Sequence, residues 1–192
     1  MKKRSFLLVL FGIMTATCFA LNNDYIATKW HAAINVPDNG HEYVDLGLPS
    51  GTKWAICDMG SDTPRAHGSF FKWGLMSGTY NYNPNILPAS LDAATTYWGK
   101  GWHIPTKEQW EELKDKCTWT FKTNGYEVTG PNGNSIFLFV GDEATNCSLY
   151  WSSSLKIEEP TSAWCILIFR GFYEIEDMPR SNPIHIRPVW EE

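Results

Sequence analysis

Trp102-His-Ile-Pro-Thr-Lys-Glu-Gln-Trp-Glu-Glu-Leu-Lys-Asp-Lys-Cys117 carries the strongest structural signal in the chain. Pro105 precedes Thr106, whose hydroxyl can cap the orphan amides of a helix start. Gln109, three residues on, can bond back and close a capping box. Trp110, Leu113 and Cys117 are spaced to share one helical face, with Glu108, Glu111, Glu112 and Asp115 turned outward. The acidic side reads as a solvated surface, supported by a Glu112/Lys116 pair. Upstream, Ser90 as N-cap, Asp92 in the first turn and Gly99 as a stop predict another helix over residues 90–98.

Strand patterns flank these two helices. Before them, Val44, Leu46 and Leu48 alternate with Tyr43, Asp45 and Gly47 and predict a strand that stops at Pro49. Residues 53–57 predict a second short strand and 70–74 a third. After them, 126–129 and 135–140 flank Gly130-Pro-Asn-Gly-Asn134, whose chemistry is that of a hairpin loop. A further hairpin joins 149–155 to 163–169. Trp164-Cys-Ile-Leu-Ile-Phe169 is apolar on both faces, which predicts a central strand covered on two sides. Residues 184–189 predict a last strand. Helices early and strands late make an α+β chain.

The ends and the composition bound the function. Lys2, Lys3 and Arg4 precede an apolar run over 6–16 and an exit at 17–20 with small Cys18 and Ala20 at the −3 and −1 positions, which is the order of an export signal cleaved after Ala20. The run falls short of the about 20 residues that a spanning helix needs. Cys18 offers the alternative of a lipid-modified N-terminus. Residues 21–40 read as an irregular segment and 41–192 as a single domain. A net charge of −5, with no Lys/Arg cluster beyond the signal, argues against nucleic acid. Ten Trp, ten Phe and eight Tyr point to an aromatic core or an aromatic binding surface. In an oxidising compartment Cys57, Cys117, Cys147 and Cys165 suggest two disulfides, with Cys57–Cys117 and Cys147–Cys165 favoured and buried free thiols the alternative.

Three blocks together resemble a known family: His41-Glu-Tyr-Val-Asp-Leu-Gly-Leu-Pro-Ser-Gly-Thr-Lys-Trp-Ala55, Trp98-Gly-Lys-Gly-Trp-His-Ile-Pro-Thr-Lys-Glu-Gln-Trp110 and Tyr150-Trp-Ser-Ser-Ser154. With residues 128–136 and Ile186-Arg-Pro-Val189, they are similar to the Fibrobacter succinogenes major paralogous domain, an exported family abundant in Bacteroidetes. The resemblance covers roughly residues 42–189. It implies a C-type-lectin-like fold, related to formylglycine-generating enzymes, with twisted antiparallel sheets, two flanking helices and long loops on one side. It implies no activity. The chain departs from the family pattern at 141–146, where a longer loop is replaced by a short one.

Catalytic constellations are not apparent in the sequence. The formylglycine-generating relatives use a closely spaced cysteine pair, whereas Cys147 and Cys165 sit in no matching motif. Ser152, Ser153 and Ser154 lack the frame of a nucleophile elbow. His31, His41, His67, His103 and His185 have no ligand-like spacing, and His103 and His185 read as surface or boundary residues. No metal site is expected from the cysteines and histidines. Calcium is the one cofactor considered, through Asp142, Glu143, Glu158 and Glu159, although the Glu-Pro-Asn and Gln-Pro-Asp triplets of lectin sites are missing.

The expectation is therefore a non-enzymatic binding module that meets a glycan or protein at the cell envelope. Its ligand surface is drawn from the 141–146 and 156–161 loops, with Asp142, Glu143, Asn146, Trp151 and Glu158 as candidates. The alternative is a structural subunit of a surface appendage or envelope complex, joined by strand addition.

Overall fold

The computed structural model describes residues 34–35, 40–74, 84–141 and 147–192. The export signal, Cys18, and the loop candidates Asp142, Glu143 and Asn146 lie outside these residues. Among the described residues no helix is long and apolar enough to cross a membrane.

The predicted capping box is present. Helix α2, Lys107–Lys116, starts at Thr106, whose hydroxyl accepts from the Gln109 amide (3.2 Å), while Gln109 Oε1 accepts from the Thr106 amide (2.8 Å). Trp110 and Leu113 are buried and Cys117 is half-buried. Lys107 and Lys114 make the helix's ion pairs, with Glu111 and Glu174. Glu112 instead accepts from the Ser50 amide (3.0 Å) and hydroxyl, so the expected Glu112/Lys116 support is replaced by a tether to the turn at 49–51. Helix α1, Ala93–Trp98, is shorter than expected, because Asp92 and not Ser90 is the N-cap, accepting from Thr95 N–H (3.0 Å). Gly99 ends it at φ 93°.

Eleven strands form three antiparallel sheets among the described residues. Strands β1 (Ile34–Asn35), β2 (Tyr43–Asp45), β3 (Lys53–Ala55), β4 (Trp102–His103) and β11 (Val189–Trp190) make one sheet in the order β1-β2-β3-β11-β4. This sheet joins the two ends of the described chain. The hairpin strands β6 (Gly125–Thr129) and β7 (Ser135–Phe139) are joined by β5 (Thr118–Lys122) in the order β5-β6-β7. The third sheet places β9 (Ser162–Phe169) between β8 (Cys147–Leu155) and β10 (Phe172–Pro179). The α+β class follows from this mixture of antiparallel sheets and two short helices.

Strand β9 is central and covered on both faces, as its composition predicts. Cys165 and Leu167 enter a core with Trp102, Trp151 and Ile186. Ile166 and Ile168 enter the other, with Trp54, Trp110, Leu113 and Val189. Trp54 and Trp110 meet at 4.6 Å between ring centroids. Such rings dominate the cohesion of the fold, since truncating one buried Trp costs about 3–5 kcal/mol.

Several expectations change. Residues 70–74 contribute one bridge, Phe71 to Ile184, instead of a strand. The second strand stops at Ala55 because the Arg187 guanidinium takes the carbonyls of Ala55 and Ile56 (3.1 and 2.9 Å). The last strand is Val189–Trp190, preceded by bridges at Ile184 and His185. None of the four described cysteines is in a disulfide. Register explains why Cys147 and Cys165 do not pair: Cys147 faces Phe169, while Cys165 faces Trp151, four ladder steps away. At the usual rise per residue that is about 13 Å, well beyond disulfide reach. Burial raises the Cys57 and Cys117 thiols to about 11 and raises Cys165 further.

Candidate functional site

Two regions carry chemistry beyond packing. The first is a buried polar centre where three distant segments converge. Asp58 follows β3, and both it and Arg187 are fully buried. Arg187 Nε and Nη2 both donate to Asp58 Oδ1 (2.8 and 2.7 Å), and Nη2 also donates to Phe137 O (3.0 Å). Burial alone would raise the Asp58 carboxyl, but Arg187, with His67 and His185, outweighs it and holds the group down at about 2. The guanidinium thus ties β3, β7 and the C-terminal segment together.

His67 reaches the same carboxylate from the loop over 60–68. Gly60, at φ 82°, turns the chain after Met59, and Ser69 N–H donates back to Met59 O (2.7 Å). A Cβ at Gly68 would lie 1.9 Å from Met59 O, so only glycine lets the loop return this closely. His67 Nδ1 consequently lies 3.8 Å from Asp58 Oδ2, outside hydrogen-bond distance. Its ring stacks on His185 at 4.1 Å with the planes 1° apart. His185, expected at the surface or a boundary, is 2% exposed, because the segment leading into β11 is covered on both faces. Burial, and then His67, lowers its pKa to about 3, so it is neutral at ordinary pH.

Hydrogen bonds fix the surrounding groups. Tyr150 OH donates to Asp58 Oδ2 (3.2 Å) or Phe139 O (3.0 Å), and burial keeps it protonated. Ser148 Oγ donates to Phe139 O (2.9 Å) and lies 3.1 Å from His67 Nε2. The direction of the Ser148–His67 bond depends on the His67 tautomer, and Nδ1 of His67 is the ring atom that faces Asp58. Ser148, His67 and Asp58 share the residue types of a hydrolytic triad, but Nδ1 of His67 lies beyond hydrogen-bond distance of Asp58 and Ser148 is fully buried.

The second region is the turn between β8 and β9. Glu158 is exposed there, together with Ile157 at 61% exposure. Trp151 does not belong to this surface: it is fully buried, with its indole N–H donating to Phe71 O (2.8 Å). The aromatic at the turn is Trp164, half-buried, with Lys107 Nζ 4.5 Å and Lys156 Nζ 6.0 Å from its ring centroid. Lys156 in turn pairs with Asp177 (2.8 Å) and Glu159 (3.1 Å). The side chains at the turn are thus an indole, an exposed isoleucine and mixed charges. A sequence signal existed, since Trp164 is the outermost aromatic of β9 and adjoins the loop already singled out.

No family model, no curated protein and no solved structure matches the chain.

Proposed function

We propose that the chain is an exported, non-catalytic binding module that recognises a glycan or a protein segment at the cell envelope. The recognition surface is the β8–β9 turn, with Trp164 and Ile157 as the apolar contact and Glu158 and Lys156 as polar partners. The observation that carries this reading is the half-buried Trp164 ring beside a strongly exposed isoleucine. An indole on a rigid strand is the kind of anchor that recognition surfaces use, because little side-chain entropy is lost on binding. The fold fits the same proposal as a C-type-lectin-like domain of the Fibrobacter succinogenes major paralogous domain type. Its support is the capped Pro-Thr helix start and the buried arginine near the C-terminus. Oxidase chemistry of the formylglycine-generating kind finds no support in thiols that sit four ladder steps apart.

Assembly by strand addition is the second reading, and one observation favours it. Strand β10 ends its sheet, and among the described residues its one backbone bond away from β9 is the turn bond in which Asn182 N–H donates to Pro179 O. Its side chains Glu174, Glu176 and Asp177 work against such pairing, since charge on an edge strand discourages a further strand. A glycan array together with an envelope-extract pull-down separates the two readings. Capture that is lost in Trp164→Ala supports recognition, whereas blank screens with concentration-dependent polymers establish assembly in its place.

A further inference from the structure

We propose that Asp58, His67 and His185 bind a divalent transition metal ion, with zinc the best match. Each residue brings one ligand atom, and the three atoms lie within 4.8 Å of one another. Two imidazoles and one carboxylate form a donor set suited to zinc or ferrous iron and unlike the all-oxygen set that calcium takes.

The independent observation is a pair of buried imidazole nitrogens without partners. Nδ1 of His67 and Nδ1 of His185 are both buried without a hydrogen-bond partner. His185 is 2% exposed, so water does not satisfy it from outside. Nδ1 of His67 faces Asp58 Oδ2 at 3.8 Å, beyond hydrogen-bond distance but a separation that two metal–ligand bonds of about 2 Å each can span. Buried polar atoms left without a partner are costly, and a bound ion is one way to satisfy them where imidazoles and a carboxylate converge. The surroundings already supply the bonds that orient ligands. Tyr150 reaches Oδ2 of Asp58 and Arg187 holds Oδ1, while Ser148 lies 3.1 Å from Nε2 of His67 in its stacked position.

Binding requires one movement. An imidazole holds a metal near its own ring plane, and no point lies in both of two parallel planes. His185 is packed in place, whereas the His67 side chain is 25% exposed, on a loop at the surface. His67 is therefore the ligand that turns out of the stack to close the site. Three protein ligands leave a coordination position for water, on the side from which His67 is exposed. Arg187 partly neutralises Asp58, so affinity falls below that of a thiolate site.

The test uses untagged protein, stripped with chelator and titrated with Zn²⁺ by calorimetry and with Co²⁺ by visible absorption. One ion per chain is expected, with the cobalt spectrum of a low-coordinate nitrogen and oxygen site. His67→Ala and His185→Gln should each weaken Zn²⁺ binding at least about 10-fold. Near-ultraviolet circular dichroism checks the fold, and if His185→Gln is not native, His67→Ala, at a partly exposed position of the 60–68 loop, decides. No binding by the wild type, or equal binding by a folded His67→Ala variant, overturns the proposal.

Discussion

The Asp58–Arg187 centre and the β8–β9 turn use the same chemical parts with opposite consequences. At the centre both charges are fully buried, and the guanidinium meets Asp58 and three backbone carbonyls. At the turn, Lys156 meets Glu159 and Asp177 with water on one side. A buried ion satisfied in this way is costly to disturb, because removing one partner strands the other in a medium that cannot solvate it. An exposed pair is screened, and its loss is absorbed by water. One region fixes the architecture, and the other is free to meet a partner.

Arg187→Met should have the largest effect. It leaves the Asp58 carboxylate buried without its counter-ion and should lower unfolding free energy by about 3–5 kcal/mol, read from urea denaturation. A loss below about 1 kcal/mol would erase the contrast with the turn.

Acid should next separate the two regions. His185 has its folded pKa lowered from 6.5 to about 3, so as pH falls the unfolded chain takes up the proton first. Its contribution is complete above pH 6.5 and is lost progressively down to pH 3, by at most about 1.4 kcal/mol per pH unit. Asp58, depressed to about 2, acts with the same sign, and its contribution is lost as pH falls below 3.8. Denaturation midpoints between pH 7 and 5 should therefore decline in the wild type and flatten in His185→Gln. An unchanged slope in that variant would place the acid sensitivity elsewhere.

Lys156→Ala should have the smallest effect on stability, below about 1 kcal/mol by the same urea titration. A loss as large as that of Arg187→Met would show that the turn is part of the scaffold.

How much of each region is legible in the sequence follows from how local its signal is. The α2 capping box is a three-residue pattern and its geometry appears as read. Strand β9 declares its two-sided burial through an unbroken apolar run. Strand β10 is hidden in the sequence because Glu174, Glu176 and Asp177 obscure its alternation, and β5 because it follows the helix through Cys117 with no turn residue to mark its start. The polar centre depends on residues 58, 67 and 185 meeting through tertiary contacts, and no spacing in the chain encodes that. A partial clue was present: His185 and Arg187 alternate with Ile184 and Ile186, so two polar groups share one face of a segment flanked by apolar residues. Trp151 is buried and not at the ligand surface because it lies in Tyr150-Trp151, where both faces of β8 are buried and alternation carries no information about exposure.

The most direct test of the division between scaffold and recognition surface is capture of envelope glycans and proteins by wild type and Trp164→Ala side by side. The account predicts that the wild type retains a discrete ligand and that the variant, with native circular dichroism, loses it. Equal capture by the two proteins, or no capture by either, would contradict it.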